Sequence, residues 1–150
     1  NIFNGYFKSP EDNERVFTRD GFFKTGDLAK IDDNGYITIT GRIKETILRG
    51  GETISAIGIE NLISSHPAVA EVAVIGMPDK ALGERICAYI KLKPDATLTF
   101  DALITYLKDT GASVLQLPER VEFIENMPLT KVGKIDKKIL KEDIIKKLQE

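Results

Sequence analysis

The run Gly41-Arg42-Ile43-Lys44-Glu45-Thr46-Ile47-Leu48-Arg49-Gly50-Gly51 constrains this chain more than any other stretch. Charged side chains cluster between a leading glycine and a glycine pair. Glycine reaches backbone conformations closed to other residues. The run can therefore be a β-hairpin strand with outward charges and a tight Gly-Gly turn. The other reading is a joint whose side chains face a shared crevice. The residues before it read as the closing turns and strands of one structure, and those after it read as a complete small α/β unit.

Ahead of the run, Ser9-Pro10-Glu11-Asp12 predicts a helix start: a Ser N-cap, Pro at the first position and acids in the first turn. That helix ends near Phe17. Phe22-Phe23-Lys24 reads as a strand entering the polar turn Thr25-Gly26-Asp27. Leu28 to Ile31 and Tyr36 to Thr40 read as strands joined by Asp32-Asp33-Asn34-Gly35, a strong hairpin signal. So few strands with so little apolar content do not hold a core alone, which predicts a larger partner structure.

Behind the run, Ser55 predicts a helix cap, with Ile59, Leu62 and Ile63 on one face and His66-Pro67 as the stop. Val69 to Ile75 suits a strand buried on both faces. After a turn at Pro78-Asp79, Ile86, Ala88, Ile90 and Leu92 alternate with Arg85, Cys87, Tyr89 and Lys91, a strand period. Thr99 caps a second helix with Phe100, Leu103, Ile104 and Leu107 inward and Gly111 at its end. Arg120 to Glu125 is a further strand. A polar loop, Asn126 to Gly133, leads to Asp136, the cap of a last helix carrying Leu140, Ile144 and Leu148. The lysines of that helix read mostly as a solvated face. The order α-β-β-α-β-α predicts an α+β unit: a three-stranded sheet with packed helices, preceded by a β-hairpin remnant of something larger.

Composition removes several function classes. A net charge of -2 offers no global field for nucleic acid or an anionic membrane. One cysteine, Cys87, and one histidine, His66, leave no intrachain disulfide and no Cys or His metal cluster. Cys87 reads as a small residue of the sheet and His66 as helix-end punctuation. No apolar run reaches membrane-spanning length, and a reducing, cytoplasmic setting fits best. The start at Asn1 suggests an excised piece.

Three short runs are candidates for chemistry: Thr25-Gly26-Asp27, the joint with Arg42 and Lys44, and Pro128-Leu129-Thr130-Lys131-Val132-Gly133-Lys134-Ile135. Each alone reads as an ordinary turn or a solvated lysine, and none is a Walker-type phosphate loop. Together they resemble, in order and spacing, the C-terminal signature motifs of the adenylate-forming ligase superfamily. That superfamily includes acyl- and aryl-CoA synthetases, peptide-synthetase adenylation domains and firefly luciferase. The matching runs are Phe23-Lys24-Thr25-Gly26-Asp27-Leu28, then Gly41-Arg42-Ile43-Lys44 through Arg49-Gly50-Gly51-Glu52 to Ile59-Glu60, then Pro128-Leu129-Thr130 with Gly133-Lys134-Ile135. Arg49-Gly50-Gly51-Glu52, Leu82-Gly83-Glu84-Arg85 and Leu117-Pro118-Glu119-Arg120-Val121-Glu122 look most like the 2,3-dihydroxybenzoate–AMP ligase type. Lys24 stands where the superfamily commonly has Arg, and Ala56-Ile57-Gly58 stands where the aryl activators carry acids.

The resemblance implies a two-step reaction. A carboxylate attacks the α-phosphate of Mg·ATP to give an acyl-adenylate and pyrophosphate, and a pantetheine thiol of CoA or a carrier protein then displaces AMP. By motif match Lys134 is the catalytic cation of the first step. Asp27 and Arg42 are nucleotide-binding residues at the ribose and phosphate edge. Lys44 is the hinge, and Gly50 and Gly51 line the thiol channel; no metal ligand is implied. The implied layout is residues 1–42 as the end of a large N-terminal adenylation domain and 43–150 as a mobile C-terminal lid. The rest of the active site would lie in the missing domain, so the chain is expected to be inactive alone. The alternative is a non-catalytic interaction module keeping the fold, which intact Asp27, Arg42 and Gly133-Lys134 disfavour.

Overall fold

The structure, a computed structural model, describes residues 3–149. The chain divides into two compact units, Asn1–Lys44 and Glu45–Glu150.

The first unit holds helix α1 (Pro10–Val16) and a two-stranded antiparallel sheet, β1 (Asp27–Ile31) and β2 (Ile37–Arg42). Ser9 precedes α1, but its hydroxyl bonds the Asp12 carboxylate rather than a backbone N–H. The Phe22 to Lys24 strand is reduced to one bridge, Phe17 to Phe23. Asp32 closes the hairpin as expected, its carboxylate accepting from the amides of Asn34 and Tyr36. Ile31, Tyr36, Ile37 and Ile39 stay exposed, so within this unit the hairpin buries almost nothing.

The second unit begins with the hairpin β3 (Thr46–Arg49) and β4 (Glu52–Ser55), then α2 (Ala56–Ser64), β5 (Val69–Asp79), β6 (Gly83–Leu92), α3 (Phe100–Asp109), β7 (Arg120–Phe123) and α4 (Lys137–Lys147). The α-β-β-α-β-α order is present, but the sheet has five strands rather than three. The added pair is the glycine-turn hairpin. Its Ile47 and Ile54 are buried, and β3 joins the edge of β6 at Arg49 opposite Gly83. Strand β6 is central: β5 runs antiparallel along one edge, while β3 and the parallel β7 share the other. Strand β5 also runs through the expected Pro78-Asp79 turn to pair Pro78 with Glu84. On an edge strand a proline sacrifices no ladder bond, so the break does not occur there.

The period-two pattern of β6 now has a cause. Ile86, Ala88 and Ile90 face a core with Ile59 and Ile63 of α2 and Leu103 and Leu107 of α3. Cys87 and Tyr89 face a second core with Leu140 and Ile144 of α4 and Met127. The sheet is therefore covered on both sides. Ser55, Thr99 and Asp136 cap their helices, accepting from the amides of Gly58, Ala102 and Lys138. The expected inner face of α3 narrows to Leu103 and Leu107, with Ile104 half-buried and Phe100 exposed. Leu148, expected on the last helix, falls at its C-cap and is likewise exposed. Among the described residues no helix is long and apolar enough to cross a membrane.

Candidate functional site

In the first unit, the register places Asp27 directly opposite Arg42. Their side chains meet, Arg42 Nε lying 3.1 Å from Asp27 Oδ1. Asp27 is the more sheltered, with about a quarter of its side chain exposed against more than half of Arg42's. Thr25, not Asp27, makes the local turn, its hydroxyl accepting from the Asp27 amide at 3.1 Å. The Asp27 carboxylate is thus left to Arg42 and to solvent. The amide of Ile43 donates to the Gly26 carbonyl and ties the end of β2 to this turn. Lys44 comes next, in the single helical turn Ile43–Glu45, its side chain exposed, as the last residue of the first unit.

In the second unit, Gly50 and Gly51 form the tip of the β3–β4 hairpin, with φ of +58° and +90° that favour glycine at both positions. The tip is held from beneath. The Gly50 amide donates to the Leu82 carbonyl at 2.8 Å, and Leu48 N–H donates to a Glu84 carboxylate oxygen at 2.8 Å. Arg49 Nε lies 2.6 Å from Glu119, whose other oxygen accepts from the Ile86 amide at 2.7 Å. Glu84 and Glu119 are structural partners that sequence reasoning missed, because a strand or loop glutamate carries no mark of the amide it will meet.

Lys134 lies on a tight loop closed by an antiparallel bridge between Leu129 and Ile135. Thr130 N–H donates to the Lys134 carbonyl at 2.7 Å, and the Thr130 hydroxyl accepts from the Lys134 amide at 3.2 Å. Gly133, at φ +78°, makes the turn possible. The backbone is thus fixed while the lysine side chain is exposed, with no side-chain hydrogen bond or ion pair among the described residues. Its C-terminal neighbours differ. Lys137 meets Glu45 and Glu60, Lys138 meets Glu142, Lys141 meets Glu84, and Lys147 meets Glu122 and Asp143. The picture of a solvated lysine face gives way, at Lys137 and Lys147, to half-buried ion pairs.

The far end of α4 carries a second unexpected cluster. Tyr89 donates to Asp143 at 2.6 Å, Lys147 bonds both Asp143 and Glu122, and Arg120 bonds Glu122 at 2.7 Å. Burial opposes charge on Glu122, but hydrogen bonds from Lys147 and Arg120 outweigh it and hold the carboxyl below its usual range. Burial, with the nearby Glu122 charge adding to it, pushes the Cys87 thiol up to about 12. The thiol is a core group, not a nucleophile. The His66 ring accepts from the Ala68 amide, which fits its role at the helix end. Among the described residues no group of three or more His, Cys, Asp or Glu is arranged to hold a metal ion.

A carboxylate beside a guanidinium, a two-glycine tip and an unpaired lysine on a fixed turn sit on the motifs that carried the resemblance. The family profile of the AMP-binding enzyme C-terminal domain matches residues 58–134, about half of the chain. This chain belongs to that family. The chain is 44% identical over 144 residues to the 2,3-dihydroxybenzoate-AMP ligase of Bacillus subtilis, covering 96% of this chain and 26% of that protein. It is 40% identical over 149 residues to the medium-chain fatty-acid–CoA ligase of Escherichia coli, covering 99% of this chain and 26% of the relative. Among solved structures it resembles the o-succinylbenzoate CoA synthetase of Bacillus subtilis in complex with its acyl-adenylate intermediate. The TM-score there is 0.85 at 31% identity, over 92% of this chain and 28% of that one. The chain therefore has adenylate-forming ligases as relatives, and spans about a quarter of their length.

Proposed function

We propose that this chain is the C-terminal part of an ATP-dependent acid–thiol ligase and acts as its mobile lid. The observation that carries the reading is Lys134: an exposed, unpaired ammonium on a loop whose backbone is fixed by three hydrogen bonds. The first half-reaction must bring a carboxylate to a phosphoryl group, both negatively charged. A lysine placed between them offsets their repulsion and the charge that grows on the phosphoryl oxygens. Donors of this kind are worth on the order of 10²–10³ in rate.

In this reading the Asp27 carboxylate accepts from the two ribose hydroxyls, and Arg42 orients that carboxylate and reaches the phosphate edge. Mg2+ arrives with ATP as part of the substrate. Residues 1–42 complete a large N-terminal domain through the exposed Ile31, Ile37 and Ile39, and 43–150 form the lid. A backbone rotation at Lys44 turns the lid between two poses. One presents Lys134 to the acid and the α-phosphate; the other brings Gly50 and Gly51 to line the path of a pantetheine thiol, from CoA or a carrier protein. The CoA ligase and synthetase among the relatives support a thioester product, and the 2,3-dihydroxybenzoate relative supports an aryl acid. The setting that fits is cytoplasmic.

Half-reactions of the full-length ligase carrying this sequence test the reading. Lys134→Ala should lower ATP–pyrophosphate exchange by about 10²–10³ while sparing thioester formation from preformed adenylate. Lys44→Pro should do the reverse by fixing the hinge backbone. Equal loss of both half-reactions in either variant contradicts the two-pose account. The 150-residue chain alone should release no pyrophosphate from ATP and any acid.

A further inference from the structure

Lys137 is the first residue of α4 and stands three positions after Lys134. Its ammonium lies 2.9 Å from Glu45 Oε2 and 2.8 Å from Glu60 Oε1. Glu45 is the residue directly after Lys44 and opens the second unit. Glu60 belongs to α2, and the same oxygen accepts from the Val74 amide in the buried middle of β5 at 2.7 Å. The three side chains are between about a fifth and a third exposed, so water screens the contacts only in part. One ammonium thus joins the residue after the hinge, the core sheet through Glu60, and the base of the Lys134 loop.

The base of that loop depends on this point. Asp136 N–H donates to the Pro128 carbonyl at 2.8 Å, and the Asp136 side chain caps α4 immediately before Lys137. The rest of α4 has other fastenings: Leu140 and Ile144 in the core, and Lys147 with Glu122 and Asp143 at the far end. Loss of the Lys137 charge would therefore free the helix start and its loop while the remainder of the fold stays in place.

We propose that Lys137 is a positioning residue that couples the hinge to the lysine loop, making Glu45, α2 and the Lys134 loop one rigid piece. This rests on the roles proposed for Lys134 and Lys44. When the backbone turns at Lys44, Glu45 moves with it, and Lys137 carries that motion to the loop through two ion pairs. The role is mechanical. Lys137 touches neither substrate nor reacting atoms, and it sets where Lys134 stands.

The test uses Lys137→Met, which keeps the stem and removes the charge, and Lys137→Arg, which restores it, in the full-length ligase. Lys137→Met should slow pyrophosphate exchange about tenfold through kcat, with KM for ATP unchanged, as fits the loss of charged hydrogen bonds that set a geometry. Thioester formation from preformed adenylate should stay within about twofold, and Lys137→Arg should recover most of the exchange rate. Amide exchange of the peptide spanning residues 128–136 should speed up about tenfold in Lys137→Met while the β5 and β6 peptides keep their protection. In a Lys134→Ala background, Lys137→Met should add no further loss of exchange. Unchanged pyrophosphate exchange in Lys137→Met, equal loss of both half-reactions, or unchanged amide exchange at 128–136 overturns the coupling. If Lys134→Ala itself leaves pyrophosphate exchange intact, the reading of Lys134 fails first and takes the coupling with it.

Discussion

The two units of this chain solve the same problem unequally. In the second, the five-stranded sheet is covered on both faces and its two cores hold fully buried Ile59, Ile63, Ile86, Leu107 and Ile144. In the first, the hairpin leaves Ile31, Tyr36, Ile37 and Ile39 exposed. Both obey the same alternation rule, yet only one has neighbours to bury its apolar side. A strand pattern specifies which face is apolar and says nothing about whether a partner covers it. The difference fits the proposed roles, in which the first unit contributes Asp27 and Arg42 to a site completed by a larger domain and the second folds around its own core.

The largest effect that would break this contrast is in the core. Leu107→Ala should lower the stability of the second unit by about 2–5 kcal/mol in urea unfolding, whereas Ile37→Ala should change the chain's stability by less than about 0.5 kcal/mol. Similar losses at both positions would mean that the hairpin carries a core of its own. Next is the pH response of the buried thiol. In the unfolded chain Cys87 titrates near 9.0, and in the fold it is pushed up to about 12. Between those values the unfolded state has lost a proton that the native state keeps, so stability falls as pH rises through that window. Cys87→Ser should flatten that slope, and the native thiol should resist alkylation at pH 8 until urea exposes it.

A smaller contrast lies in the helix caps. Thr99→Ala should cost about 1 kcal/mol because the hydroxyl accepts from the Ala102 amide. Ser9→Ala should cost less than about 0.5 kcal/mol, since Ser9 spends its hydroxyl on Asp12 and caps no amide. Smallest is Lys138→Ala, where the pair with Glu142 is 3.9 Å long and solvent-exposed on both sides. Its effect on stability should fall within about 0.5 kcal/mol.

Much of this is legible in the sequence because it depends on local pattern. The 86–92 alternation marks β6, Ser55, Thr99 and Asp136 mark helix starts, and Asp32 to Gly35 marks a hairpin. The site motifs are legible as spacing: Asp27 and Arg42 stand out separately in the sequence and are cross-strand neighbours in the fold. The hidden part is long-range. The charged run and its Gly-Gly turn allow a hairpin, while the burial of Ile47 and Ile54, and the hairpin's place in the larger sheet, depend on β6 lying alongside. The lysines of α4 and of the loop before it look alike in sequence, yet Lys137, Lys141 and Lys147 find carboxylates on other elements and Lys134 finds none among the described residues. Pro78 reads as a turn because an edge position cannot be recognised before the sheet order is known.

The central claim is that Lys134 is carried to the reacting phosphoryl group. Reductive methylation of the full-length ligase, with mass spectrometry as the readout, measures it directly. With a non-reactive acyl-adenylate analogue bound, Lys134 should be protected from methylation while its exposed loop neighbour Lys131 reacts as before. Methylation of Lys134 at the same rate with and without the analogue would contradict the account.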